Sequence, residues 1–322
     1  MEIITNKVGL LNFNHKKRIL STKKRVKYTL KEIKKNKVSY LFIAPYVIIF
    51  SIFTIAPVLI SMYLGFTTFN ILEPPKFVGL ENYVRLFLDD DLFMLAITNT
   101  FVLAAITGPL SYILCFILAW FINELRPKIR ALVTLIFYAP SISGNIFLIW
   151  KVMFSGDTYG YANAWLLKWG IISEPILWFI NPEYMVTLVI IVALWASLGT
   201  SFLAFIAGFQ GVNKVYYEAG AVDGISNRWQ ELWFITMPLM KPQMMFGAVM
   251  SITASFGIGT LVTVLVGFPS TDYAVHTILN HLEDYGSIRF EMGYASAIAT
   301  IMFIIMIVTN LIVKKLLSKV GE

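Results

Sequence analysis

The residues best placed to do chemistry in this chain lie in one polar stretch, Gln210 to Lys241, set between long apolar blocks. Asn213 can cap a short helix whose apolar stripe is Val215, Ala219 and Val222. Gly224 suits a left-handed helix end, because a residue without Cβ enters that conformation at little steric cost. Asn227 with Gln230 three residues on has the form of a capping box for a second short helix, with Trp229, Leu232 and Trp233 on its apolar face. Pro238 opposes easy continuation. Two short amphipathic helices meeting at a sharp angle make a knob with polar tips, and its chemistry is recognition by a groove on a partner rather than catalysis. A plain return into the membrane surface is the blander alternative.

Hydroxyls form the other chemically useful set. Ala193, Ser197, Thr200, Ala204 and Gly208 are spaced by three or four, so on one helix they share a face. Ser251, Ser255, Gly257, Gly259, Thr260 and Thr263 form a similar group further on. Small residues let helices approach closely, and the same hydroxyls could line a hydrated path. Catalytic and metal chemistry find little support. The chain has one cysteine, Cys115, and three histidines, too few soft ligands for a protein-built metal site. His276 and His281 are five apart, off one helix face, and read as solvated surface. No G-x-x-x-x-G-K-[ST] phosphate loop, H-E-x-x-H or G-x-S-x-G occurs, so no catalytic residues are assigned and the chain reads as a non-enzyme.

The elements that must position these residues are membrane helices. Of 322 residues 57% are hydrophobic and 14% charged, an excess of apolar side chains that one soluble core could not hide. The excess is gathered into six blocks: Ser39 to Phe66, Leu92 to Ile122, Ala131 to Trp150, Tyr184 to Phe209, Pro242 to Phe268 and Gly293 to Val313. None contains Asp, Glu, Lys or Arg, and each is about the length that crosses a bilayer. The expected fold is an all-α polytopic membrane protein with six transmembrane helices over residues 39–316, a basic arm at 1–38, a coupling loop at 210–241 and a short tail at 317–322. Residues 1–38 carry twelve Lys or Arg against Glu2 and Glu32, a net +10, while the whole chain is only +7. Such an arm suits anionic lipid better than nucleic acid. Alternate connections are neutral or basic and the others acidic, which places both termini in the cytoplasm. Pro45, Pro57, Pro109 and Pro140 fall inside spans, as static kinks or hinges. Trp165, Trp169 and Trp178 lie in an outer connection as interface anchors. With no ionisable group inside a span, a self-powered secondary carrier lacks its usual mid-membrane residue.

The string Tyr216-Tyr217-Glu218-Ala219-Gly220-Ala221-Val222-Asp223-Gly224, followed by Ile235-Thr236-Met237-Pro238, resembles the EAA loop of permease subunits of binding-protein-dependent (type I) ABC importers. Gly220 replaces an alanine-type residue and Met237 a leucine. Gly79-Leu80-Glu81-Asn82-Tyr83, Asn99-Thr100, Gly160-Tyr161-Ala162-Asn163 and Gly293-Tyr294-Ala295-Ser296-Ala297 are similar to the carbohydrate branch, the maltose, multiple-sugar and glycerol-3-phosphate permeases. The resemblance implies a cell-membrane subunit of a bacterial or archaeal sugar importer. It implies ATPase subunits that hold ATP and Mg, a second and unlike permease, an extracytoplasmic sugar-binding protein, and no cofactor in this chain. Glu218, Ala219, Gly220, Asp223, Gly224 and Pro238 become the ATPase-coupling residues. Sugar contacts in that branch lie on the helices flanking the loop, which makes Ser197, Thr200, Ser251 and Ser255 the candidate polar contacts and Trp195 and Phe256 the candidate aromatic surfaces. The competing reading is an ATPase-independent secondary transporter or channel.

Overall fold

The computed structural model describes residues 32, 35–144 and 147–317. Most of the basic arm, the last five residues of the tail and two residues of the third apolar block therefore lie outside the described residues. The first apolar block forms helix α1, Lys37–Leu64, apolar on every side. A π-helical turn at Ser51–Ile55 runs up to Pro57, whose missing N–H and bulky ring leave the preceding turn free to widen. The described residues up to Ile60 and those from Ser61 onward form separate compact units.

Among the described residues of the second unit, the departure from an all-α chain is a two-residue antiparallel ladder pairing β1, Thr67–Thr68, with β2, Lys76–Phe77. There follow α2, Glu81–Leu88, and α3, Asp91–Asn123. Helix α3 contributes to all three buried clusters. At one end Cys115, Ala119 and Ile122 pack with Phe202, Phe205 and Phe209; midway Leu103 joins Met185, Val189, Val192 and Val262; at the other end Phe93 and Ala96 meet Leu86, Ile278, Tyr294 and Ile298.

Helices α1, α3 and α14, Met292–Leu317, are each long and apolar enough to cross a membrane. A short α13, Ile278–Glu283, precedes α14. The other blocks are broken. The third divides into α4, Pro127–Ile142, and α5, Leu148–Met153, and is followed by a short α6, Tyr161–Lys168. The fourth is α7, Pro182–Ala196, bent by 40° into α8, Thr200–Gly211. The fifth is α11, Lys241–Phe256, bent by 44° into α12, Gly259–Val266. The bend in the fourth block corrects one expectation, because Ala193 and Ser197 do not continue a single helical face with Thr200, Ala204 and Gly208. Gly199 lies against α4, where a Cβ would stand 3.0 Å from Ser141 Oγ and 3.4 Å from Ser141 Cβ. The carbonyls freed there are satisfied from neighbouring helices: Ser141 Oγ donates to Leu198 O at 2.9 Å, and Cys115 Sγ lies 3.5 Å from Ser197 O.

Candidate functional site

The polar stretch folds into the two expected short helices. In α9, Lys214–Val222, Asn213 Oδ1 accepts from Val215 N at 3.1 Å. The helix ends in a Schellman motif, Ile225 N donating to Gly220 O at 2.9 Å and Gly224 N to Ala221 O at 3.3 Å, with Gly224 at φ +94°. In α10, Arg228–Glu231, Asn227 Oδ1 accepts from Gln230 N at 2.9 Å. The return bond of the box is displaced by one residue, since Gln230 Oε1 accepts from Ser226 N at 2.9 Å instead of from Asn227. A π turn, Leu232–Thr236, then carries the chain through Pro238 to α11 without ending the helical path there.

The faces differ from the expected ones. Val215, Ala219 and Val222 point outward, Val222 being 89% exposed, and the buried residue of α9 is Gly220. A Cβ on Gly220 would stand 2.6 Å from Ile235 Cδ1 and 3.1 Å from Ile225 Cδ1, so the alanine that the resembling loops carry there fits once those rotatable ends turn aside. In the second half Leu232 alone of its three apolar residues is buried; Trp229 and Trp233 are exposed. Tyr217 OH bonds Thr236 Oγ1 at 2.9 Å and holds the halves together. Glu218 and Asp223 are both exposed, Glu218 on the side that faces α3. Behind the knob lies a cavity of about 530 Å³ edged by Trp120, Glu124, Arg130, Glu218, Arg228 and Glu231, in which Arg228 pairs with Glu231 at 2.7 Å and with Glu124 at 3.3 Å.

The hydroxyl candidates separate into two cavities. Ser251, Ser255 and Phe256 line one of about 470 Å³ between α3, α11 and α14, whose walls are otherwise mostly apolar residues such as Phe101 and Ala104. Ser197 and Ser255 share a smaller one of about 140 Å³ with Thr107, Ser111 and the Gly257–Ile258 break. Both broken helices thus open their irregular backbone on the same space, the setting in which such backbone is tolerated in a membrane. Trp195 packs edge-on against Trp150 and Thr200 is exposed; neither lines these cavities. Ser201, not singled out in the sequence, bonds Gly247 O at 3.1 Å and Ser251 Oγ at 3.3 Å.

The end away from the knob holds a polar layer that the sequence reading missed. His276 and His281 are buried rather than solvated, at 2% and 1% exposure. His276 Nε2 lies 3.1 Å from His281 Nδ1, and His281 Nε2 lies 3.0 Å from Asp90 Oδ2, which also accepts from Tyr294 OH at 2.6 Å. With Asp90 ionised and both rings neutral, the bonding pattern is fixed: His281 Nε2–H donates to Asp90 and His276 Nε2–H donates to His281. Burial raises the Asp90 carboxyl, but the Tyr294 hydroxyl, the Phe93 N–H and His281 outweigh it and hold the group below the usual range. Burial, reinforced by His281, pushes His276 down to about 4. The motif asparagines brace the same side of the molecule: Asn82 donates to Gly65 O and Thr67 O, Asn99 to Tyr273 O and His276 O. Asn163, fully buried, accepts from Ile176 N and Trp178 Nε1. Trp178 is therefore a structural hydrogen-bond donor, whereas Trp165 and Trp169 are exposed.

Residues 111–322 match the model of the family described as binding-protein-dependent transport system inner membrane component. The chain belongs to this family. This permease is 33% identical over 290 residues, 88% of its own length and 91% of the relative's, to the probable ABC transporter permease protein YesP of Bacillus subtilis. It is 31% identical to the arabinooligosaccharides transport system permease protein AraP of the same organism, over 88% of its length and 89% of the relative's, and 32% identical to the lactose transport system permease protein LacF of Rhizobium radiobacter, over 66% and 70%. Its fold is that of a chain in the crystal structure of a bacterial ABC transporter involved in the import of the acidic polysaccharide alginate, with a TM-score of 0.74 at 24% identity, covering 91% of this chain and 99% of that one.

Proposed function

We propose that this permease is one transmembrane subunit of an ABC importer for a sugar or oligosaccharide, paired with a second, unlike permease, two ATPase subunits and an extracytoplasmic binding protein. The observation that carries the reading is the knob: a braced two-helix projection that turns Val215, Val222, Trp229 and Trp233 outward beside Glu218 and Asp223. Apolar side chains of that size on a polar tip suit a groove in a soluble subunit. The relatives named for lactose and arabinooligosaccharides support the sugar class.

In this reading the chain has six spans with both termini in the cytoplasm, and ATP with Mg binds on the ATPase subunits, so this subunit is not itself an enzyme. Closure of the ATPase pair moves the knob and favours an outward-facing arrangement; hydrolysis releases it. Ser197, Ser251, Ser255 and Phe256 are the proposed path residues, with Trp195 and Thr200 further along the fourth block. Isolation of the complex through a tag on this chain tests the proposal. Co-isolation of an ATPase and ATP-dependent uptake by native vesicles are expected; uptake that needs only an ion gradient would establish the secondary-carrier reading instead.

A further inference from the structure

We infer that the knob drives a third helix, α3, directly through side chains, in addition to α8 and α11 to which it is covalently joined. The inference rests on the coupling role proposed above. Three contacts made by the second half of the knob carry it. The Trp229 ring sits edge-on to Trp120 with centroids 4.8 Å apart, Arg228 Nη2 lies 3.3 Å from Glu124 Oε2, and Leu232 is buried in the same cluster as Cys115, Ala119 and Ile122. Trp120 and Glu124 mark the last turn of α3 and its cap.

This lateral route runs beside the two covalent ones. Between α8 and α9 the chain passes through Val212 in an extended conformation, whereas between the π turn and α11 helical hydrogen bonds continue, Met240 N donating to Thr236 O and Met244 N to Met240 O, both at 2.9 Å. A push on α9 reaches the second half of the knob through Gly220 packed against Ile235 and through the Tyr217–Thr236 bond. From there the Trp229–Trp120 contact delivers it to a continuous helix of 33 residues. That helix lines both cavities, through Gly108 beside Ser255 and through Thr107 and Ser111, and its far end begins at Asp90 in the buried histidine layer. Trp120 and Glu124 are therefore positioning residues: they touch no solute, and they decide whether α3 moves when the knob does.

The test uses the assembled importer, isolated through a tag on this chain and placed in lipid nanodiscs, with Cys115→Ser as background. Ser111→Cys reports on α3 and Ser251→Cys on α11, each through its rate of reaction with a small polar thiol reagent with and without ATP and Mg. Both reporters are expected to change rate with nucleotide. Combining Trp120→Ala with Glu124→Gln is expected to abolish the change at Ser111→Cys and keep it at Ser251→Cys, while Trp120→Phe, which preserves a ring on Trp229, keeps both. If the double variant no longer retains the ATPase, Trp120→Ala alone takes its place. An undiminished response at Ser111→Cys overturns the inference, and so does equal loss at both reporters with the ATPase still bound. If neither reporter responds in the background protein, the coupling role itself fails, and the inference with it.

Discussion

His281 Nε2 lies 3.0 Å from Asp90 Oδ2, a contact between side chains 191 residues apart that joins the start of α3 to the connection ahead of α14. Asp90 also accepts from Tyr294 OH and Phe93 N, so one carboxylate serves three donors on three elements. Replacing Asp90 by Ala strands those donors in a nearly water-free place and should cost about 3 kcal/mol. Thermal unfolding in detergent checks this; a loss no larger than that of an exposed control such as Glu174→Ala would show that the layer does not brace the fold.

The same layer sets a pH response. His276 ionises at about 4 in the folded protein against 6.5 ordinarily, so between those values the unfolded chain binds a proton that the folded one refuses. Stability should hold above pH 7, fall by about 3 kcal/mol between pH 6.5 and 4, and lose nothing further through His276 below that. His281, also lowered chiefly by burial, adds to the fall. Asp90, held below 3.8, adds a separate loss as its carboxylate protonates at still lower pH. In His276→Gln the unfolding midpoint should change less steeply with pH; an unchanged slope would assign the response to other groups.

Two glycines of the knob should respond differently to substitution. Gly220→Ala gains about 1 kcal/mol of helix propensity and meets chiefly the rotatable ends of Ile235 and Ile225, so ATP-driven uptake should survive. Gly220→Leu, which needs a whole side chain's volume at that spot, should not. Gly224→Val forces a β-branched residue to φ +94° and costs about 1–2 kcal/mol locally. Uptake assays with membrane levels measured in parallel separate lost coupling from lost protein. Equal activity of all three variants would remove the knob from the mechanism.

Orientation can be read at two highly exposed positions. In a Cys115→Ser background, Leu72→Cys should react with a membrane-impermeant thiol reagent in intact spheroplasts, and Val222→Cys only after permeabilisation. The reverse pattern would invert the topology argued from the charge alternation.

The sequence alone determined the membrane setting, the apolar blocks and the knob with its caps, because these depend on local matters: run length, the side chain of a cap, the missing Cβ of Gly224. It also pointed to the family, through motifs that are short and contiguous. It did not determine which face of each short helix is buried. Gly220 points inward and Val222 outward because Ile235 and Ile225 fill the space beneath Gly220, and that follows from how the return path of the chain packs. Nor did it show that His276 and His281 are buried, since their partner Asp90 lies nearly two hundred residues away and no helical or strand period links them. The breaks at Gly199 and Gly257 likewise became legible only in three dimensions. A glycine in an apolar run permits a bend, but at the first break it is Ser141 and Cys115, reaching across from other helices, that satisfy the freed carbonyls and make the bend tolerable.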